Sequence, residues 1–291
     1  MHELIQLGKN TFYIECLSRM GIYRLDENNV CIIDTGADHD SVDKLLEYLD
    51  QNHWTPKMVL NTHSHADHIF GNAVLESMGC KCYCSGIENV FIRNTFLEPS
   101  FMYGADTFDA IETNTYMAKP SHSEELTQEI LPAGFAFRRL DGHSFAMSAI
   151  KTPDDIWFLG DAVVSDGLLS RYHLTFLVDV EKYLKSLDEL DTFTGALFVP
   201  AHSKPKTDIR PLVQKNRENT MEIIDLIGQL CRTPLSQEQL QKAIFDHYGR
   251  HMTVPQYVLS GSIIRTYLSY MRSHGLVEYI IENNMVKWHT L

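Results

Sequence analysis

The run Thr62-His63-Ser64-His65-Ala66-Asp67-His68 constrains this chain more than any other feature. It follows directly on an apolar segment, Lys57–Asn61, whose composition reads as a strand. In extended backbone His63 and His65 project to the same side, so two imidazoles reach one cation. Asp67 and His68 fall where the chain is expected to turn into a helix, which lets both face a second cation. Three imidazoles and a carboxylate within six residues are costly to bury without a metal or partners. Such donors suit zinc, with iron or manganese as alternatives.

At 291 residues the chain is long for one core, which points to a domain with an appendage. Hydrophobic residues at 44% and charged residues at 22% exclude a disordered chain. No apolar run approaches the ~18 residues that span a bilayer, and the opening Met-His-Glu-Leu-Ile-Gln-Leu lacks the blocks of a secretory signal. A cytoplasmic location with no membrane association is expected, and there a disulfide framework is not. Cys80, Cys82 and Cys84 alternate along an extended segment and are expected as buried strand residues, since structural zinc sites space their cysteines more widely. The net charge of −13 disfavours a nucleic-acid partner. Residues 233–291 carry five Lys/Arg and four Asp/Glu, so the acidity lies in the preceding part.

Strand candidates Thr11–Leu17 and Val30–Asp34, a helix over Ser41–Leu49, the strand before the histidine run, a helix starting near Gly71 and a strand at Lys81–Cys84 make an α/β alternation. Residues 94–132 break that rhythm with aromatics among turn formers and are expected to be an irregular lid insertion. Strands return at Phe135–Leu140, Met147–Lys151 and Ile156–Leu159. A helix at Val180–Leu190 and a strand at Ala196–Val199 follow. From Pro211 a helix runs to Leu230; Ser236-Gln237-Glu238-Gln239 opens another with a capping box, and a third covers Gln256–Arg272. Leu276–Ile281 and Met285–His289 flank Asn283-Asn284 as a hairpin, which makes residues 211–291 a helical, winged-helix-like domain after a catalytic domain of residues 1–210.

The His-x-His-x-Asp-His run resembles the signature of the metallo-β-lactamase-fold superfamily, and four further elements appear in the family's order. Asp34-Thr35-Gly36, Gly142-His143-Ser144, Gly160-Asp161 and Pro200-Ala201-His202 match its remaining landmarks. Taken singly, each would be an ordinary structural element. The resemblance covers about residues 3–210 and implies a four-layer αβ/βα sandwich of the α/β class. It implies a first metal on His63, His65 and His143, a second on Asp67, His68 and His202, and Asp161 bridging the two, with two zinc ions as the expected cofactors. Asp34 would stand behind the ligands and orient a histidine ring. The segments Leu97–Phe101 and Met117–Ser121, with the terminal unit, are similar to a bacterial group of this fold. The third element departs from the common Gly-His-Ser/Thr-Pro-Gly by reading on as Phe145-Ala146, which changes the wall beside the first metal.

The resemblance implies hydrolysis of an ester-type bond (thioester, lactone, carboxylic ester or phosphodiester) in a small-molecule substrate by a metal-bridging hydroxide, with Asp67 and Asp161 as the working carboxylates. Aspartate at position 161 argues against β-lactamases that carry cysteine there. Phe145, Tyr103, Tyr172 and Lys204 are candidate substrate contacts, with Tyr116 and Lys206 beside them. An iron-dependent sulfur dioxygenase is the alternative enzyme. A DNA-binding or nucleic-acid-processing protein is the third reading, carried by Arg265 and Arg272 on the last helix. Against it stands the near-neutral tail, for which packing or homodimer formation is the stronger expectation.

Overall fold

The structure, a computed structural model, describes residues 2–291. Strands β1 (Leu4–Gln6), β2 (Thr11–Ile14), β3 (Met20–Arg24) and β4 (Asn29–Ile33) run antiparallel. Helix α1 (His39–Gln51) crosses to β5 (Thr55–Leu60), which lies parallel to β4. The short helices α2 (Ala66–Ile69) and α3 (Asn72–Ser77) lead to β6 (Lys81–Cys84), and α4 (Glu88–Arg93) and α5 (Leu97–Tyr103) to β7 (Ser123–Glu125). These seven strands lie in chain order in one sheet, parallel from β4 onward.

The second sheet holds β8 (Ala136–Arg139), β9 (Ser148–Thr152) and β10 (Ile156–Phe158), which are antiparallel. After α6 (Asp166–Tyr172) and α7 (Val180–Leu190), β11 (Leu197–Val199) adds in parallel beside β10. Helices α8 (Arg210–Leu230), α9 (Gln237–His247) and α10 (Val254–Ser273) come next, and the hairpin β12 (Val277–Glu282) and β13 (Met285–Thr290) ends the chain.

Side-chain alternation sets the layers. Tyr13, Tyr23, Ile33, Leu60 and Tyr83 of the first sheet meet Ile150, Ile156, Phe158 and Val199 of the second. The opposite face of the first sheet packs Ile22, Ile32, Val59 and Cys82 against Leu45, Leu49 and Leu75 of α1 and α3. The outer face of the second sheet packs Trp157 and Phe198 against Leu187 of α7 and Ile223, Ile227, Tyr267 and Leu268 of the later helices. The result is the expected four-layer α/β sandwich. Cys80, Cys82 and Cys84 are buried and free, with Tyr83 facing the other way. No helix among the described residues is long and apolar enough to cross a membrane.

The stretch expected to be irregular contains α5 and β7. Pro99 sits in the first turn of α5, where the missing N–H has no intrahelical role. The strand Ser123–Glu125 has no apolar alternation to announce it and forms by pairing on β6. Asn283 and Asn284 take φ of 51° and 63°, the pair of left-handed residues that a two-residue hairpin turn requires.

The terminal helices join the core of the second sheet and also brace α5. Met102 and Ile111 pack on Val258 of α10, and Arg265 Nη2 donates to the Met102 carbonyl at 3.0 Å. Arg272 pairs with Glu278 at 2.7 Å. Both arginines weighed as DNA contacts are thus engaged within the chain.

Candidate metal centre

The histidine run leaves the end of β5 in extended form and enters α2 after His65, whose φ and ψ are −61° and 145°. A buried polar network holds this bend: Asn61 Nδ2 donates to the His68 carbonyl at 3.2 Å, and Asn72 Nδ2 donates to Asn61 Oδ1 at 2.8 Å. His143 follows Gly142, at φ 121°, on the loop between β8 and β9. A Cβ at Gly142 would collide with the Tyr183 backbone nitrogen, so only glycine lets this loop lie on α7. Asp161 and His202 lie just beyond the ends of β10 and β11.

Hydrogen bonds on the far side of each ring fix where the free nitrogens point. His143 Nδ1 donates to the Phe176 carbonyl at 3.0 Å, and His202 Nδ1 to the Leu17 carbonyl at 2.9 Å. His68 Nδ1 donates to Asp34 Oδ2 at 2.8 Å. The Thr62 hydroxyl donates to Asp34 Oδ2, which leaves its oxygen to accept from His63 Nδ1 at 3.0 Å. The Nε2 atoms of all four rings therefore face inward. His63 Nε2 and His143 Nε2 each lie 3.0 Å from His65 Nδ1, which has at most one proton to share between them. Asp161 reaches both halves, with Oδ2 3.5 Å from His143 Nε2 and 3.3 Å from His202 Nε2, and Oδ1 3.2 Å from His68 Nε2. Asp67 Oδ2 is 3.2 Å from His202 Nε2 and 3.6 Å from His68 Nε2.

This donor set fits bound cations. His68 Nε2 and Asp161 Oδ1 are buried 3.2 Å apart with no well-aligned hydrogen bond to any group, and the three first-cluster nitrogens converge with at most one proton to share. The structure brings together His63, His65 and His143 in one group, Asp67, His68 and His202 in another, and Asp161 with His63 and His68 between them.

The two halves differ in charge. Burial, with other imidazoles close by, holds His63 well below its usual range, and burial takes His65 and His143 down to about 4. Burial would also lower His68, but Asp67, Asp161 and Asp34 override it and hold it well above its usual range. His202 goes up to about 10, where Asp161 and Asp67 outweigh burial. Asp161 and Asp67 stay well below the carboxylate range because His202 and His68 oppose the effect of burial. In the metal-free protein the second cluster therefore holds protons that a cation must displace, whereas the first is already free base. Affinity at the second cluster is expected to rise about tenfold per pH unit for each proton displaced between about pH 6 and pH 9, with the first cluster flat. Chelator-competition titrations across that range check it; parallel pH dependence at both positions would contradict the asymmetry.

Asp34 serves three donors from a backbone at φ 56°, taking the Thr62 N–H at 2.8 Å and hydroxyl at 2.8 Å besides His68. Asp34→Asn is expected to weaken metal binding about 10- to 100-fold with little loss of helix content, as measured by metal titration and circular dichroism.

Sequence reading missed Glu88 and Ser18. Glu88, wholly buried on α4, accepts from the Ser64 N–H at 3.0 Å and from its hydroxyl through one oxygen, and from the Ala146 N–H at 2.7 Å through the other. It ties the loop of His63 and His65 to the loop of His143. Ser18 donates to Asp67 Oδ2 at 2.5 Å. No local pattern marks either residue, because their partners lie far along the chain.

Phe145 forms an aromatic wall with Phe91 and Phe101, at centroid distances of 5.7 and 5.1 Å. Phe176 lies against His65 at 5.3 Å. Tyr103 packs edge-on to Phe108, Tyr116 packs near Met102, and Tyr172 lies beside Arg171 and Arg250 in a small cavity with Tyr248 and Leu259. None of these three tyrosines groups with the inward-facing histidines. Lys204 lines a cleft with His202.

Residues 14–78 match the model of the metallo-beta-lactamase superfamily. Comparison with curated proteins finds no match. Among solved structures, a beta-lactamase domain protein from Burkholderia ambifaria is 17% identical with a TM-score of 0.70, covering 99% of this chain and 94% of its own. A metallo-beta-lactamase family protein from Thermus thermophilus is 15% identical with a TM-score of 0.72, covering 100% and 98%. A metallo-beta-lactamase from Pontibacter korlensis, 15% identical with a TM-score of 0.57, covers 99% of its own chain but 76% of this one. The first two similarities thus extend over the terminal helices and hairpin. The chain thus has the metallo-β-lactamase fold, and the segment matched by the superfamily model holds Asp34 and the histidine run.

Proposed function

We propose that this chain is a binuclear metal-dependent hydrolase acting on an ester-type bond of a small molecule. The observation that carries the reading is the convergence of the Nε2 atoms of His63, His68, His143 and His202 with His65 Nδ1 and two carboxylates, in three groups of possible metal donors that share His63 and His68. His63, His65 and His143 would hold one ion, Asp67, His68 and His202 the other, and Asp161 would stand between. Two zinc ions suit these donors; iron or manganese is accepted by the same set. Bound ions of this kind supply Lewis acidity and an acidified water.

The chain's own groups supply the rest. Asp67 is partly open, its side chain 29% exposed, and the Ser18 hydroxyl donates to Oδ2. It is the group placed to orient an attacking water or hydroxide by accepting its hydrogen bond. Phe145, two residues after His143, packs with Phe91 and Phe101 and would offer substrate an apolar contact, and α10 steadies the helix that carries Phe101. We assign residues 211–291, a winged-helix-like unit, this bracing role. A cysteine nucleophile has little support: burial pushes Cys16 and Cys231 up to about 11, and Cys80 and Cys82 to about 12. A panel of thioesters, lactones, carboxylic esters and phosphodiesters, tested with zinc-, manganese- and iron-loaded protein, is expected to show turnover that chelation abolishes. Oxygen-consuming turnover of a persulfide with iron, and no hydrolysis, would overturn the reading.

A further inference from the structure

We propose that the cleft beside His202 binds an anionic group, phosphate or carboxylate, carried by the substrate; this deepens the hydrolase reading and rests on it for the word substrate. The cleft has a volume of about 530 Å³ and is lined by Arg19, Lys204, Lys206 and Lys215 together with His202 and Ser203. Its size suits a small molecule rather than a lone ion. Arg19 pairs with Glu15 at 3.3 Å and Lys215 lies 3.7 Å from Asp166, which leaves Lys204 and Lys206 as the cleft's cations without an acid partner among the described residues, on a chain whose net charge is −13. Asp208, the other carboxylate of the lining, is taken by Arg210 at 2.7 Å.

The lysines stand on a fixed loop. The Lys206 backbone exchanges both hydrogen bonds with Phe198 beside β11, each at 2.8 Å. Arg19 is anchored to the same loop, donating from Nη1 to the Ala201 carbonyl at 3.0 Å, and its Nε is buried without a partner. Lysines without acid partners in a concave site raise the local concentration of anions. His202 is both part of the cleft lining and a member of the candidate metal cluster, so an anion seated here shares that ring with the centre. Esters and thioesters bearing a phosphate or carboxylate are therefore favoured over neutral ones.

The test titrates phenyl phosphate, phenylacetate and neutral benzyl alcohol by calorimetry into zinc-loaded wild type and into Lys204→Ala/Lys206→Ala and Lys204→Glu/Lys206→Glu proteins. Metal content is measured on each, and the titrations are repeated at raised salt. The expected result is about tenfold weaker anion binding in the alanine protein and a larger loss in the glutamate protein, with benzyl alcohol and metal content unchanged. Phenyl phosphate well above phenylacetate assigns the site to phosphate, the reverse order assigns it to carboxylate, and equal affinities assign it to both. Anion affinity unchanged in both variants at equal metal content overturns the proposal, because the metal centre alone then takes the anion. Ester hydrolysis is assayed separately: lysine-dependent anion binding without any hydrolysis sinks the hydrolase reading and leaves the anion site standing.

Discussion

Asp161→Ala protein is expected to lose metal from both positions and to fall in hydrolytic rate on the order of 10³-fold, about 4 kcal/mol of transition-state stabilisation. The reason is its placement. One carboxylate lies within 3.5 Å of His143 Nε2 in the first cluster and within 3.3 Å of both His68 and His202 in the second. Its removal also takes away the charge that most strongly holds His202 up near 10, so that ring drops toward its ordinary range in the metal-free protein. Asp161→Asn keeps the shape and removes the charge, and it separates the two effects. Metal content near half the wild-type value, with one cluster still loaded, would show that Asp161 serves only one position.

Glu88→Ala is expected to destabilise the fold by about 3 kcal/mol and to weaken the first cluster more than the second. The substitution strands the buried N–H groups of Ser64 and Ala146 together with the Ser64 hydroxyl, and each stranded buried donor costs about 1–3 kcal/mol. Those donors flank His63, His65 and His143, whereas Asp67, His68 and His202 gain nothing directly from Glu88. Glu88→Gln is expected to fall in between, because its amide nitrogen must face one of two backbone N–H groups. Chemical denaturation gives the first number, and metal titration of each variant gives the second. Equal weakening of both clusters would mean that Glu88 supports the fold without organising the site.

The inward-facing groups were legible because a strand, a bend and a helix start lie within seven residues of the histidine run, and because the glycine-bearing elements recur in the family's order. Short-range chemistry was equally readable: the capping box at Ser236 forms, and the cysteine alternation places Tyr83 on the opposite face. Glu88 was not legible, since its partners lie 24 and 58 residues away and nothing near it in sequence is unusual. Strand β3 was hidden by Gly21, which breaks the apolar pattern. That glycine is there because the Phe158 ring of the other sheet would lie 2.6 Å from a Cβ at that position. The short helices α2, α4 and α6 hold too few turns to show a period. The role of Arg265 was likewise hidden: its bond to Met102 spans 163 residues, and only the folded chain turns a candidate DNA contact into a brace for α5.

The central claim is that these seven side chains hold two metal ions. Metal-depleted wild type, reloaded with zinc at neutral pH and dialysed, is the sample that tests it most directly by elemental analysis. Two equivalents per chain are the predicted result. One equivalent that saturates, or none in a protein shown to be folded, would contradict it.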